Sequence, residues 1–237
     1  AWEITTGSAV RVAILDTGVD LNHPDLQDNI KGDVNIINPH KSGDDDNGHG
    51  THVAGIVGAA DNDIGVVGAA PGIYLYPVKV LDKKGRGYLS DLIDGLDWCI
   101  KNEMNVVNMS FGSLSDNQSF HEAIIKVYQA GVIQIAAAGN NGENGGAISY
   151  PARYPETIAV SAVDQYNNFA SFSSHGPEID VIAPGVDVKS TYKEGTYQIL
   201  SGTSMSAPYV TGAVALILTT TPPWGYDSDG DGRWDPD

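Results

Sequence analysis

The chain has 237 residues, 41% of them hydrophobic, enough to bury a core without disulfide staples and too apolar for a disordered chain. A formal charge of −17 excludes nucleic acid and anionic membranes as expected partners, and no apolar run approaches the roughly 20 residues of a membrane-spanning helix. The single cysteine, Cys99, excludes an internal disulfide framework and any multi-cysteine metal site, and reads as a small buried hydrophobe.

The opening Ala1-Trp2-Glu3-Ile4 has neither a basic nor a long apolar segment, so it reads either as a chain without an export signal or as a trimmed precursor. Residues 10–15 are a short apolar run expected to form a buried strand, and 74–81, 105–109 and 132–138 repeat that pattern. Between them, 88–103 and 119–130 have helical spacing. Strands alternating with helices predict an α/β domain, a three-layer sandwich with a mainly parallel central sheet. Shorter strands are expected at 157–163, 179–183 and 197–200, then an apolar helix over 203–219 with Pro208 in its first turns, where proline is tolerated. The run Thr221-Pro222-Pro223 ends that helix and separates a main domain, 1–221, from an acidic tail, 222–237.

Three motifs carry chemistry. Asp16 follows the first strand in Asp16-Thr17-Gly18, at the sheet edge where α/β folds gather ligands, although a turn-forming aspartate has the same look. Asp-Thr-Gly is also the aspartic-protease signature, but that mechanism needs a second copy, which only a dimer could supply. His49 and His52 lie in His49-Gly50-Thr51-His52-Val53-Ala54-Gly55; a zinc site is disfavoured because no further ligand completes the shell. Ser204 stands at the start of the last helix in Gly202-Thr203-Ser204-Met205-Ser206-Ala207-Pro208, where free N–H groups stabilise negative charge and where a plain capping serine also fits. The acidic run Asp44-Asp45-Asp46 reads as a solvated loop.

Carboxylate, imidazole and hydroxyl in the order Asp, His, Ser resemble the subtilisin-like serine proteases. The likeness extends through Asn108-Met109-Ser110-Phe111-Gly112, Ala136-Ala137-Ala138-Gly139-Asn140, Tyr150-Pro151-Ala152 and Phe172-Ser173-Ser174-His175-Gly176-Pro177, and so covers almost the whole chain. The resemblance implies a subtilisin-like fold and roles residue by residue. Ser204 is then the nucleophile, His49 the general base, Asp16 the group orienting the imidazole, and Asn140 the side-chain oxyanion donor. Gly85, Arg86, Gly87 and Ser110, Phe111, Gly112 match the edges that bind an extended peptide. The primary pocket is then expected between Ser110–Gly112 and Ala137, Ala138, Gly139, with Ser149 near its floor and no charge in it. The family likeness also implies a calcium site from Asp25, Asn62 and the carbonyls of Ala60, Ile64 and Val66, short of one ligand that the family draws from an N-terminal extension, and a weaker cation site from Asp180 with the carbonyls of Ala152, Tyr154 and Thr157. It further implies a secreted monomer, polypeptide substrates, an inhibitory propeptide that is cleaved, and another helix and strand after the last helix that this chain lacks. A calcium-binding protein without catalysis is the rival from another class. Read from the residues themselves, Asp227, Asp229, Asp231 and Asp235 alternate as in the start of an EF-hand loop and predict another calcium site in the tail.

Overall fold

The structure, a computed structural model, describes residues 1–221; the tail with Asp227, Asp229, Asp231 and Asp235 lies outside the described residues. Its strands are β1 (Arg11–Asp16), β2 (Val34–Asn35), β3 (Tyr74–Lys79), β4 (Val106–Met109), β5 (Ile133–Ala137), β6 (Ile158–Val163), β7 (Val181–Pro184), β8 (Val188–Tyr192) and β9 (Thr196–Leu200). The α-helices are α1 (His49–Gly58), α2 (Leu89–Lys101), α3 (Gln118–Gln129) and α4 (Thr203–Leu218). Seven parallel strands make one sheet in the order β2-β3-β1-β4-β5-β6-β7, and β8 and β9 form a separate antiparallel hairpin.

Alternation along β1 builds both faces of the core. Val12 and Ile14 point to one side and pack with Val53 and Val57 of α1 and Met205 and Val210 of α4. Ala13 and Leu15 point to the other and pack with Leu96 of α2 and Ile124 of α3. The result is the expected α/β sandwich of three layers, with α1 and α4 on one face and α2 and α3 on the other. Truncating a fully buried side chain such as Ile14 to alanine costs about 2–5 kcal/mol.

Two strands escape the sequence pattern. β2 is only two residues long. β8 reads Val-Lys-Ser-Thr-Tyr, and its buried Ser190 and Thr191 are polar because they bond the backbone of α1: Ser190 Oγ donates to His52 O at 2.8 Å and Thr191 Oγ1 to Thr51 O at 2.7 Å. His52 completes the seam, with Nε2 3.1 Å from both Val188 O and Gln198 O. Burial holds its pKa down at about 4, so the ring is neutral and Nε2–H is the donor to those two carbonyls. Pro208 sits in the second turn of α4, within the first turns as expected.

Candidate active site

The carboxyl ends of β1, β4 and β5 open onto one edge of the sheet, beside the point where successive strands stop adding on the β3 side of β1 and start adding on the β4 side. Asp16 ends β1 and has no exposed surface, while His49 opens α1. His49 Nδ1 lies 2.8 and 3.0 Å from the two Asp16 oxygens, and Thr17 N donates to the same carboxylate at 2.7 Å. A carboxylate removed from water requires such donors. With its Nδ1–H turned to Asp16, the imidazole keeps Nε2 as a lone-pair base. Burial opposes the charged form of His49, but the charge and hydrogen bond of Asp16, helped by Asp45, outweigh it and raise the pKa above its ordinary value.

Ser204 is in the first turn of α4, where the helix leaves N–H groups without internal acceptors. Its Oγ donates to Ser110 O at 3.0 Å, and no Ser204–His49 hydrogen bond forms among the described residues. The contact is reciprocal, since Ser110 Oγ donates to Ser204 O at 2.9 Å. That carbonyl is open because the N–H that would bond it in an α-helix belongs to residue 208, a proline. Behind Ser110, Asn108 Nδ2 donates to Ser110 Oγ at 2.9 Å and Thr211 Oγ1 to Asn108 Oδ1 at 2.9 Å, within the core.

Asn140 follows β5 on an exposed turn. Its Oδ1 accepts from Thr203 N at 3.0 Å and Thr203 Oγ1 at 3.1 Å, which turns the oxygen end toward the helix and leaves Nδ2 as the outward donor. A Cβ placed on Gly202 would lie 3.3 Å from Asn140 Nδ2 and 3.8 Å from Ser204 N, so both donors border one small volume. Preorganised donors of this kind stabilise a developing oxyanion.

The expected substrate residues divide between two places. Gly85, Arg86, Gly87, Phe111 and Gly112 line a cleft of about 580 Å³. Its apolar floor of Leu81, Leu92 and Phe120, and Asp116 on its wall, were not visible in the sequence because they come from separate elements that only the fold brings together. Ser110 and Ala137, Ala138, Gly139 lie at the ends of β4 and β5, and Ser149 packs beside Gly112 and Gly139. There a Cβ on Gly112 would stand 2.7 Å from Ser149 Cβ, and one on Gly139 would stand 2.5 Å from Ser149 Oγ. Two glycines thus make room for the Ser149 side chain.

Asp25 is fully buried; Oδ2 accepts from Val66 N at 2.9 Å and Tyr197 OH at 3.1 Å, while Oδ1 has no hydrogen-bond partner. An orphaned buried carboxylate oxygen beside the loop of Ala60, Asn62, Ile64 and Val66 is the chemistry a hard cation satisfies. Asn62 Oδ1 meanwhile accepts from Ile64 N at 3.3 Å. The second expected cation set converges less well. Tyr154 O accepts from Thr157 N at 3.1 Å and Thr157 Oγ1 at 3.0 Å, which uses both lone pairs, and Asp180 Oδ2 accepts from Ala159 N at 2.8 Å. Among the described residues no three His, Cys, Asp or Glu side chains gather as a metal site. The acidic run before α1 departs from its solvated expectation at one position: Asp45 is buried at 7% exposure.

Comparison with known proteins agrees with this geometry. Residues 7–229 match the model of the subtilase family. The chain is 48% identical over 225 residues to a subtilisin of Bacillus pumilus, covering 92% of this chain and 80% of that one. It is 49% identical over 219 residues to subtilisin Savinase of Lederbergia lenta, again covering 92% and 80%. For subtilisin E of Bacillus subtilis the identity is 48%, and the chain spans 58% of that relative's length. With a family match over nearly all of its length and close identity to several subtilisins, the chain belongs to the subtilase family, the subtilisin-like serine endopeptidases.

Proposed function

We propose that the chain hydrolyses peptide bonds through an acyl-enzyme formed on Ser204. The observation that carries this reading is the convergence of the Asp16–His49 pair with Ser204 and Asn140 at one sheet edge. A substrate laid in extended form along 110–112 offers a main-chain N–H to Ser110 O, and the Ser204 hydroxyl it displaces turns to His49 Nε2. Ser204 Oγ then attacks the substrate carbonyl carbon as its proton passes to Nε2, and Asp16 stabilises the imidazolium. Asn140 Nδ2 and Ser204 N hold the oxyanion. His49 returns the proton to the departing amine, and water, activated by the same imidazole, releases the acyl group.

The residues of the expected primary pocket, Ser110–Gly112, Ala137–Gly139 and Ser149, carry no charge, which supports large apolar P1 residues over charged ones. Asp25 with Asn62 and the carbonyls of Ala60, Ile64 and Val66 would hold calcium, which supplies positive charge to a buried carboxylate and ties the 60–66 loop to it. The tail residues Asp227, Asp229, Asp231 and Asp235 extend the same chemistry to an appendage, 222–237, of a domain spanning 1–221. Secretion, monomeric state and control by a cleaved propeptide complete the reading by family likeness.

The test is covalent labelling with a fluorophosphonate. Wild type is expected to be labelled at Ser204 alone, and Ser204→Ala to lose labelling and roughly a millionfold in kcat, a magnitude taken over from subtilisin. Peptidase activity that survives in pure Ser204→Ala overturns the assignment.

A further inference from the structure

We infer that Asp45 is a positioning residue for peptide hydrolysis, the buried hub that holds the His49 end of α1 against Asp16. The inference rests on the catalytic reading above.

At the amino end of α1 the His49 N–H donates to Asn47 Oδ1 at 3.0 Å, and the N-cap residue itself, Gly48, has no side chain to offer an acceptor for the N–H groups that follow. Asp45 takes that part from outside the helix. Its Oδ2 accepts from Thr51 N at 3.0 Å and Thr51 Oγ1 at 2.6 Å, and its Oδ1 accepts from Asn47 N at 2.9 Å and Gly48 N at 3.0 Å. The same Oδ1 accepts from Thr17 Oγ1 at 2.9 Å. One carboxylate therefore receives five hydrogen bonds, four from the start of α1 and its approach and one from the residue beside Asp16.

Thr17 is the pivot between the two halves. Its backbone N–H bonds Asp16 Oδ1, and its hydroxyl, while donating to Asp45, accepts from Gly50 N at 3.0 Å. Gly50 allows this closeness, because a Cβ there would fall 2.1 Å from Gly18 O and 3.0 Å from Asp16 Cβ. The residues on either side of the Asp16–His49 hydrogen bond are thus tied through a single hydroxyl to a single carboxylate. On the far side Lys79 of β3 donates to Thr17 O and reaches Asp46 Oδ1 at 2.7 Å, which fixes the Thr17 backbone. A buried acceptor with this many charge-assisted bonds is rigid, and a reactive pair displaced by a fraction of an ångström loses rate steeply.

The charges facing His49 are Asp16 from β1 and Asp45 from the approach to α1. Lys79 from β3 is engaged with Asp46, and His52, one turn along α1, is neutral. Removing the Asp45 charge therefore moves two quantities at once, the geometry of the pair and the acidity of His49.

The experiment compares Asp45→Asn, Thr17→Val, Thr17→Ser and, as control, Asp44→Asn at an exposed site, all in the 237-residue chain with a peptide anilide substrate. Asp45→Asn and Thr17→Val are expected to lower kcat by about ten- to a hundredfold with KM within about twofold of wild type, since the binding edges are untouched. The acid limb of kcat/KM is expected to move to lower pH in Asp45→Asn. Thr17→Ser, which keeps the hydroxyl, is expected to restore most of the rate, and Asp44→Asn to match wild type. Should Asp45→Asn not fold, the Val and Ser pair at position 17 decides alone. Equal kcat in wild type, Asp45→Asn and Thr17→Val overturns the inference, as does Thr17→Ser being no better than Thr17→Val. Wild type that resists the fluorophosphonate marks failure of the catalytic reading instead.

Discussion

His49 sits at the balance of two opposed effects: burial disfavours its cation, and Asp16 with Asp45 favours it by more. A general base works in its neutral form, so activity rises as pH climbs through the raised value. The acid limb of kcat/KM is expected to be centred above about 6.5, the ordinary histidine value. An acid limb at or below that value in a steady-state pH series would show that Asp16 does not dominate. Stability has the opposite sign, because the ion pair contributes fully below the unfolded-state value and is lost as pH rises through the folded one. The pair thus helps the fold least where it works best. The local sequence displayed Asp16, His49 and Ser204 because each stands in a distinctive run of small residues. It hid Asp45, since three consecutive aspartates look alike until the fold buries one of them.

Among the elements, α4 shows how a local irregularity is absorbed by a neighbour. Pro208 removes the helical donor to Ser204 O, and Ser110 Oγ at the end of β4 replaces it. Ser110→Ala leaves that carbonyl without its partner and is expected to lower stability by about 1–3 kcal/mol together with kcat. Adding Pro208→Ala restores an N–H four residues on and is expected to recover part of the stability, so denaturant titration of the double variant should show non-additivity. Additive losses would mean that the proline does not open the site. Periodicity gave helices at 88–103 and 119–130, within one or two residues of α2 and α3, because their apolar faces are long and regular. It failed for β8, whose inward residues are hydroxyls serving another element's carbonyls, and for the lateral packing that builds the 580 Å³ cleft.

Across the whole molecule, the β8–β9 hairpin connects the catalytic helix with the Asp25 loop. Thr196 O is 2.9 Å from His23 Nε2, and Tyr197 OH donates to Asp25. Calcium bound at Asp25 would therefore stabilise the hairpin seam as well as its own loop. At a hundredfold excess over Kd it is expected to add about 2.7 kcal/mol, or roughly 5–10 °C in Tm, read by calorimetry with and without a chelator. Asp25→Asn should abolish the difference, and an undiminished calcium effect in that variant would place the ion elsewhere. The parallel sheet and its three layers were legible from strands alternating with helices, whereas the seam was not, because its partners are 136 to 175 residues apart in the chain. That separation bears on the order of events in folding. Loops of this length close late, after local helices and adjacent strands have formed. The catalytic pair spans 33 residues, the serine's clamp on Ser110 spans 94, and the hairpin that seats α1 spans more than either. Cutting power therefore arrives with the final closures, so a half-folded copy is prey to finished neighbours before it can digest anything itself.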